Sequence, residues 1–256
     1  MNEETLIRRK ILDSATKAYH QNIYTYTGFL GINELSIYHS MTNDLSFISS
    51  CCFGGTEASE RQMIQFGSKK ELGYSEEFPI DIIKISPLSP KFAESLGHRD
   101  YLGALMNTGI ERSLLGDIII KNTNAYLFCA RHISDFIEKN ISTIKHTNVV
   151  CTNITNSIDT SDIDGIKPEL KELELIAASP RIDAVVASIT KRSRSNAAEL
   201  FNAKKIYING ICNENKSYQL KSGDIVVIRG TGKFIYLGCG NETRKGRIYV
   251  HLKQYI

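Results

Sequence analysis

Residues 180–229 read PRIDAVVASITKRSRSNAAELFNAKKIYINGICNENKSYQLKSGDIVVIR, and the order of signals in this stretch sets the reading of the whole chain. Ile182, Val185, Val186 and Ile189 recur at the i, i+3, i+4, i+7 spacing of an amphipathic helix with one face to bury. Ser193 is a good N-cap for a second helix, whose apolar face is Ala197, Leu200 and Phe201, so the two are expected to pack as a pair. Ile206-Tyr207-Ile208 then alternates as a strand does, and Asn209-Gly210 tolerates the positive φ of a type I′ hairpin turn. Lys221-Ser222-Gly223-Asp224 turns the chain into a further apolar β run, residues 225–228. The expected result is two helices laid on a small sheet, with Arg181, Lys191, Arg192, Arg194, Lys204 and Lys205 near one edge.

Charge follows the same division. From residue 181 onward there are 14 Lys and Arg against 5 Asp and Glu, a net of +9, whereas the whole chain is only +3, which leaves −6 on residues 1–180. A basic block on a mildly acidic body is the footprint of a polyanion binder, in which Lys and Arg displace counterions from phosphates. A merely solvated basic face is the competing explanation.

This order of signals resembles the small RNA-binding domain named after ribosomal protein S-four. The matching positions are Arg181-Ile182-Asp183, Ser193-Arg194, the hairpin 206–210, and the run Lys221 to Val226. Lys204 departs from the pattern, since many members carry glycine there. The resemblance implies that the two helices and the hairpin hold structured RNA through Arg181, Lys191, Arg192, Ser193, Arg194, Ser195, Lys204, Lys205, Tyr207 and Asn209. Tyr207 could stack on a base, an interaction worth about 1–3 kcal/mol, or could cover the helix pair.

With 256 residues the chain has room for two or three domains. Its first residues, MNEETLIRRK, lack an apolar signal core, and no window approaches the roughly 18 apolar residues of a spanning helix, so a cytoplasmic protein without a membrane partner is expected. The six cysteines and six histidines are scattered without CxxC or any other ligand spacing, so no disulfide framework, metal or cofactor is expected. The α+β layout expected is a mainly helical region over 1–75, a middle domain over 76–165 and the RNA-binding domain over 166–256.

In the first region, helices are expected over 3–22 and 31–41, then a strand-like run at 47–53 closed by Gly54-Gly55, then a helix start at 56–61 with Thr56 as cap. In the second, strand 80–85, helix 90–108, strands 116–121 and 125–130, helix 133–140 and strand 147–152 form a β-α-β-β-α-β order, that of a ferredoxin-like unit. His98-Arg99-Asp100 invites comparison with a kinase catalytic loop. The asparagine that such a loop needs five residues on is replaced by Leu105, and no nucleotide loop accompanies it. Leu102, Leu105 and Met106 are instead expected in the core, with 98–100 capping the helix or touching a neighbour. Gly230-Thr231-Gly232-Lys233 is followed by Phe234 where a phosphate loop has Ser or Thr, and reads as a turn between strands. A last hairpin into residues 248–252 is expected to carry Arg244, Lys245 and Arg247 as a second cationic patch. These three, with His98 and Arg99, are candidates for a second contact.

Over nearly its full length the chain resembles the bacterial YlmH family. The matching pieces are Thr27-Gly28-Phe29-Leu30 with Glu34, Phe53-Gly54-Gly55 with Glu57-Ala58 and Glu60-Arg61, and residues 98–103 with Gly109-Ile110-Glu111-Arg112 and Gly116-Asp117-Ile118. Arg229 to Phe234 and Glu242 to Arg247 extend the match to the C-terminal part. The resemblance implies an RNA-binding, ribosome-associated factor that contacts rRNA and tRNA in the rescue of stalled large subunits; the reading favoured here is non-enzymatic, with a monomer as the default. The alternative is an RNA-modifying enzyme, since S-four-type domains are also fused to pseudouridine synthases, methyltransferases and tyrosyl-tRNA synthetases. The sequence carries no Gly-X-Gly-X-X-Gly after a strand, no aminoacylation motif pair and no recognisable catalytic aspartate segment.

Overall fold

The computed structural model describes residues 3–159, 162, 166 and 169–255, which belong to two compact units, Met1–Lys167 and Pro168–Ile256. The chain is mixed α and β. Among the described residues no helix is long and apolar enough to cross a membrane.

The first unit opens with α1 (Glu3–Gln21), which buries Ile11, Ala15 and Ala18 along one stripe and carries Glu3 and Glu4 in its first turn, where the helix dipole favours them. It packs on α2 (Ile32–Ser40). Both lie against a three-stranded antiparallel sheet of β1 (Thr25–Tyr26), β2 (Ser50–Phe53) and β3 (Met63–Phe66), in the order β1-β3-β2. This sheet corrects the expectation for residues 47–61. The strand is confined to 50–53, and 56–61 form a turn instead of a helix start. The amides of Glu60 and Arg61 donate to the Asp117 carboxylate at 2.6 and 3.2 Å, so they are withheld from any helical ladder. One short helix, α3 (Lys69–Leu72), follows.

The larger sheet of this unit contains β4 (Ile80–Pro87), β5 (Leu115–Lys121), β6 (Asn124–Ala130), β7 (Thr143–Ile144) and β8 (Thr147–Asn153). Their order is β5-β6-β4-β8-β7, with every neighbouring pair antiparallel. Between its strands run α4 (His98–Asn107) and α5 (Ser134–Asn140). The fully buried Ile83, Ile85, Leu105, Leu127, Phe128 and Ile137 form the centre of its core.

The expected helix over 90–108 is shorter in fact. Residues 90–92 make one 3-10 turn, and α4 begins only after Gly97, whose amide donates to the Asp100 carboxylate at 2.8 Å. Asp100 also meets Lys145 Nζ at 2.8 Å, so the His-Arg-Asp run starts a helix. Tyr101 and Leu105 are its buried residues, and Leu102 is partly buried. Met106, expected in the core, is 39% exposed, because it falls on the outer face of the helix.

The second unit is a six-stranded antiparallel sheet with two helices. Its strands are β9 (Leu170–Ala177), β10 (Ile206–Ile208), β11 (Ile211–Cys212), β12 (Ile225–Ile228), β13 (Gly232–Glu242) and β14 (Ile248–Tyr255), in the order β11-β10-β12-β13-β14-β9. The helices are α6 (Ile182–Thr190) and α7 (Arg194–Asn202). They bury Ile182, Val185, Val186, Ala197, Leu200 and Phe201 with Val226, Ile228, Phe234, Val250 and Leu252 of the sheet. Asn209 and Gly210 have φ of 51° and 81°, the pair of positive values a type I′ turn requires.

Candidate nucleic-acid interface

The corner between α6 and α7 is built by local chemistry. Lys191 ends α6 in the left-handed conformation, φ 53°, with its amide on the carbonyls of Ala187 and Ser188. Ser193 Oγ accepts the Asn196 amide at 3.2 Å and starts α7, a cap worth about 1 kcal/mol. Ser195 Oγ lies 2.9 Å from Ser193 Oγ. The chain therefore reverses within three residues, and Lys191, Arg192, Ser193, Arg194 and Ser195 are all exposed on the outside of the bend.

Asp183, only 9% exposed, ties the two helices together. Its carboxylate accepts Arg181 Nε at 3.1 Å and Nη2 at 3.2 Å, and Arg194 Nη2 at 2.5 Å. An acid in the first turn of α6 thus fixes the side chain that opens α7. Asp183 thereby orients its own helix through two arginine partners.

Beside this corner is a cleft of about 330 Å³. Ile176 and Ala178 from the end of β9 and Ala184, Ala187 and Ser188 from α6 give it a largely apolar floor, and Lys191, Arg192, Arg194 and Arg247 form its cationic rim. Among the described residues no carboxylate lines it. Arg247 stands immediately before β14, and the Tyr249↔Ile176 and Ile248↔Ala177 pairs hold that strand to β9, so the sheet carries Arg247 to the helix corner. Two patches some fifty residues apart in sequence, 191–194 and 247, therefore share one site. The floor residues of β9 were missed by sequence reasoning, because LKELELIA has mixed polarity and the strand exists through its pairing with β14.

The other anticipated residues fall elsewhere. Arg181 is half-buried beside Asp183. Lys204 and Lys205 are exposed after α7, with Lys204 Nζ 3.5 Å from Glu214, and do not line the cleft. Lys204 has φ 52°, a conformation that glycine adopts without strain, which accounts for the glycine of the S-four-type pattern at this position. Tyr207 is 2% exposed, so its ring belongs to the core and offers no face to a base. Asn209 is likewise engaged within the fold: its amide nitrogen donates to Asp224 at 2.9 Å and its carbonyl accepts the Ile225 amide at 2.8 Å. Arg244 and Lys245 are exposed in the β13–β14 turn. His98 and Arg99 are exposed at the start of α4, in the first unit.

In that unit the motif residues 27–31, 60–61 and 112–117 converge. The guanidinium of Arg61 donates to the carbonyls of Phe29, Arg112 and Leu115, and that of Arg112 to Leu115 and Gly116. The ladder between β5 and β6 is irregular between Leu115 and Ile118. A Cβ on Gly116 would sit 2.7 Å from Phe29 Cε1, and one on Gly55 would sit 2.1 Å from Phe128 Cδ1, so both glycines are required by close packing.

Comparison with known proteins adds three findings. Residues 74–157 match the family described as "Putative RNA-binding domain in YlmH". A protein of Bacillus subtilis (strain 168) named ribosome-associated protein quality control protein P2 is 26% identical over 221 residues, covering 86% of this chain and 83% of its own length. The solved structure of cell division protein ylmH from Streptococcus pneumoniae aligns with a TM-score of 0.49 and 21% identity over 62% of this chain and 96% of that one. The domain match makes residues 74–157 similar to that family, and the Bacillus relative extends the similarity to most of the chain.

Proposed function

We propose that this protein is a non-enzymatic RNA-binding factor that works on the large ribosomal subunit in the quality control of stalled nascent chains, contacting rRNA and tRNA. The observation that carries the reading is the cleft in which Lys191, Arg192, Arg194 and Arg247 converge with no carboxylate among the lining residues. Such a site neutralises several phosphates at once and has the apolar floor against which a ribose or base edge can rest. The name of the Bacillus relative supplies the ribosomal setting, and the match over 74–157 supports RNA binding. In this reading residues 169–255 form an S-four-type domain, residues 80–153 a ferredoxin-like one, and the chain is a cytoplasmic monomer. Arg181, Ser193 and Ser195 flank the cleft contacts, Lys204 and Lys205 add exposed cations after α7, and His98 and Arg99 of the first unit and Arg244 and Lys245 of the second are each further candidate contacts.

The test is sedimentation of tagged protein in cell lysate at two salt concentrations, with RNA crosslinking on the peak fraction. Comigration with free large subunits, with crosslinks from residues 181–205 and 244–247 to rRNA or tRNA, is expected. A protein that stays at the top of the gradient at both salts refutes the ribosomal role. A new modified nucleoside after incubation with bulk RNA and S-adenosylmethionine refutes the non-enzymatic part.

A further inference from the structure

Beside the cationic cleft stands a tyrosine that the fold leaves unengaged. In the β14–β9 ladder Tyr249 is paired with Ile176, which sets their Cβ atoms about 5 Å apart on one face of the sheet. The residues that follow them, Val250 and Ala177, are buried in the core of the unit. Strand side chains alternate, so Tyr249 and Ile176 belong to the opposite, outer face. Ile176 is 46% exposed there, and Tyr249 is partly exposed. Among the described residues the Tyr249 hydroxyl makes no hydrogen bond, and its ring meets no other ring or cation. On the β13 side Gly240 adds no side chain beside it, and the His251 ring leans into that space, with Nε2 2.7 Å from where a Cβ of Gly240 would lie.

The cations stand at one end of this patch. Arg247 precedes Tyr249 by two residues, the spacing that returns to the same side of an extended chain, and it lines the cleft together with Ile176. Among the described residues the side chains of Lys191, Arg192 and Arg247 make no hydrogen bond or ion pair, so their charge is available. A phosphate on this rim therefore has an apolar ledge and an aromatic ring close by. A regular duplex cannot use either, because its base faces are stacked inside and an A-form helix offers ribose and base edges in a shallow groove. An unpaired nucleotide splayed from a bulge or loop has a free base face to stack on an aromatic ring. The sharp backbone turn at such a site also crowds successive phosphates, which suits cations that converge on one cleft.

We propose that the second unit holds an unpaired nucleotide of its RNA, with the phosphates on the rim of the cleft and the base stacked on Tyr249 beside Ile176. The proposal rests on the reading of the cleft as an RNA site and adds the class of RNA it takes, a bulged or looped strand in place of a continuous duplex. It also assigns the stacking ring to Tyr249, since that of Tyr207 lies in the core.

The experiment is anisotropy binding of the full chain to three labelled RNA hairpins that share one stem: fully paired, with a single-adenosine bulge, and with an abasic bulge of equal charge. The adenosine bulge is expected to bind at least about fivefold more tightly than the abasic one, the gain that a stacked base brings. Tyr249→Leu should abolish this preference and leave the affinity for the abasic hairpin as it was. Tyr249→Phe, which keeps the ring and loses a hydroxyl without a partner, should retain it.

Equal affinity of the wild-type chain for the two bulged hairpins overturns the proposal, and that comparison needs no variant to fold. A preference that survives in Tyr249→Leu with unaltered thermal melting overturns it as well. Arg247→Ala separates this proposal from the reading beneath it. Weakened binding of all three hairpins by that variant, with a wild-type chain indifferent to the base, leaves the cleft a phosphate site and removes the stacked nucleotide, whereas a wild-type chain that binds none of the hairpins removes both.

Discussion

Arg247→Ala is a sharp test of the cleft, because among the described residues the Arg247 side chain makes no hydrogen bond or ion pair. Its main chain holds the turn, the amide donating to Thr243 Oγ1 at 3.1 Å and the carbonyl accepting the Thr243 amide at 2.6 Å, and alanine preserves both bonds. Arg194, by contrast, is bonded to Asp183. If the four rim cations each neutralise one phosphate, log affinity falls with log salt at a slope of about −2.8 for single-stranded RNA and about −3.6 for a duplex. Raising salt from about 50 to about 200 mM then weakens wild-type binding roughly 50- to 150-fold. Removing Arg247 should make the slope shallower by about 0.7 to 0.9 and weaken binding roughly 5- to 8-fold at about 0.1 M salt. Fluorescence anisotropy with a labelled RNA hairpin over a salt series measures both, and Lys171→Ala, an exposed cation at the far end of β9, serves as the control with unchanged slope. A slope for Arg247→Ala equal to that of wild type, with unaltered thermal melting, would refute the claim that the helix corner and the β14 entrance form one phosphate site.

Three further substitutions probe the framework. Asp183→Ala should destabilise the second unit by about 1–2 kcal/mol in urea unfolding, since it strands Arg181 and Arg194, both of which remain partly solvated; a change below the error of the fit would mean that the pair contributes nothing. Gly55→Ala, at φ 104° and facing the Phe128 ring, should cost the first unit at least about 2 kcal/mol, seen as an earlier loss of near-ultraviolet signal, and an unchanged midpoint would contradict the packing described. Lys204→Gly should raise the melting temperature of the second unit, by relief of a left-handed lysine worth up to about 1 kcal/mol, because the exposed Lys204–Glu214 pair lost with it contributes little; a lowered melting temperature would show that the ion pair matters more than the backbone.

What could be read in the sequence was what neighbouring residues decide among themselves. The Ser193 cap, the Asn209-Gly210 turn and the apolar stripes of α6 and α7 are short-range signals, and each lies where it was expected. The cationic residues at 191–194 were legible for the same reason. The failures came where distant partners decide. Residues 56–61 have the composition of a helix start, but Asp117, more than fifty residues on, captures two of their amides. Strands β1 and β9 are created by their partners β3 and β14. Tyr207 looked like a stacking ring because a strand of three residues does not reveal which face is covered, and here both are. The union of Arg247 with Lys191 and Arg194 depends on the β14–β9 ladder, and the Arg61–Arg112 pair on the irregularity in β5, neither of which a local pattern encodes.

The β14–β9 ladder also has a kinetic consequence. It joins Leu170–Ala177 to Ile248–Tyr255, closing a loop of about seventy residues, while α6, α7 and the β10–β11 hairpin can form from contacts close in sequence. Contacts of long sequence separation carry the larger closure entropy and form late. One wall of the cleft, Lys191 to Arg194, is therefore available early, but Ile176 and Arg247 join it only when the sheet is complete. The complete cationic rim is thus a property of the finished unit, and a half-folded chain presents only the part of it that α6 and α7 supply.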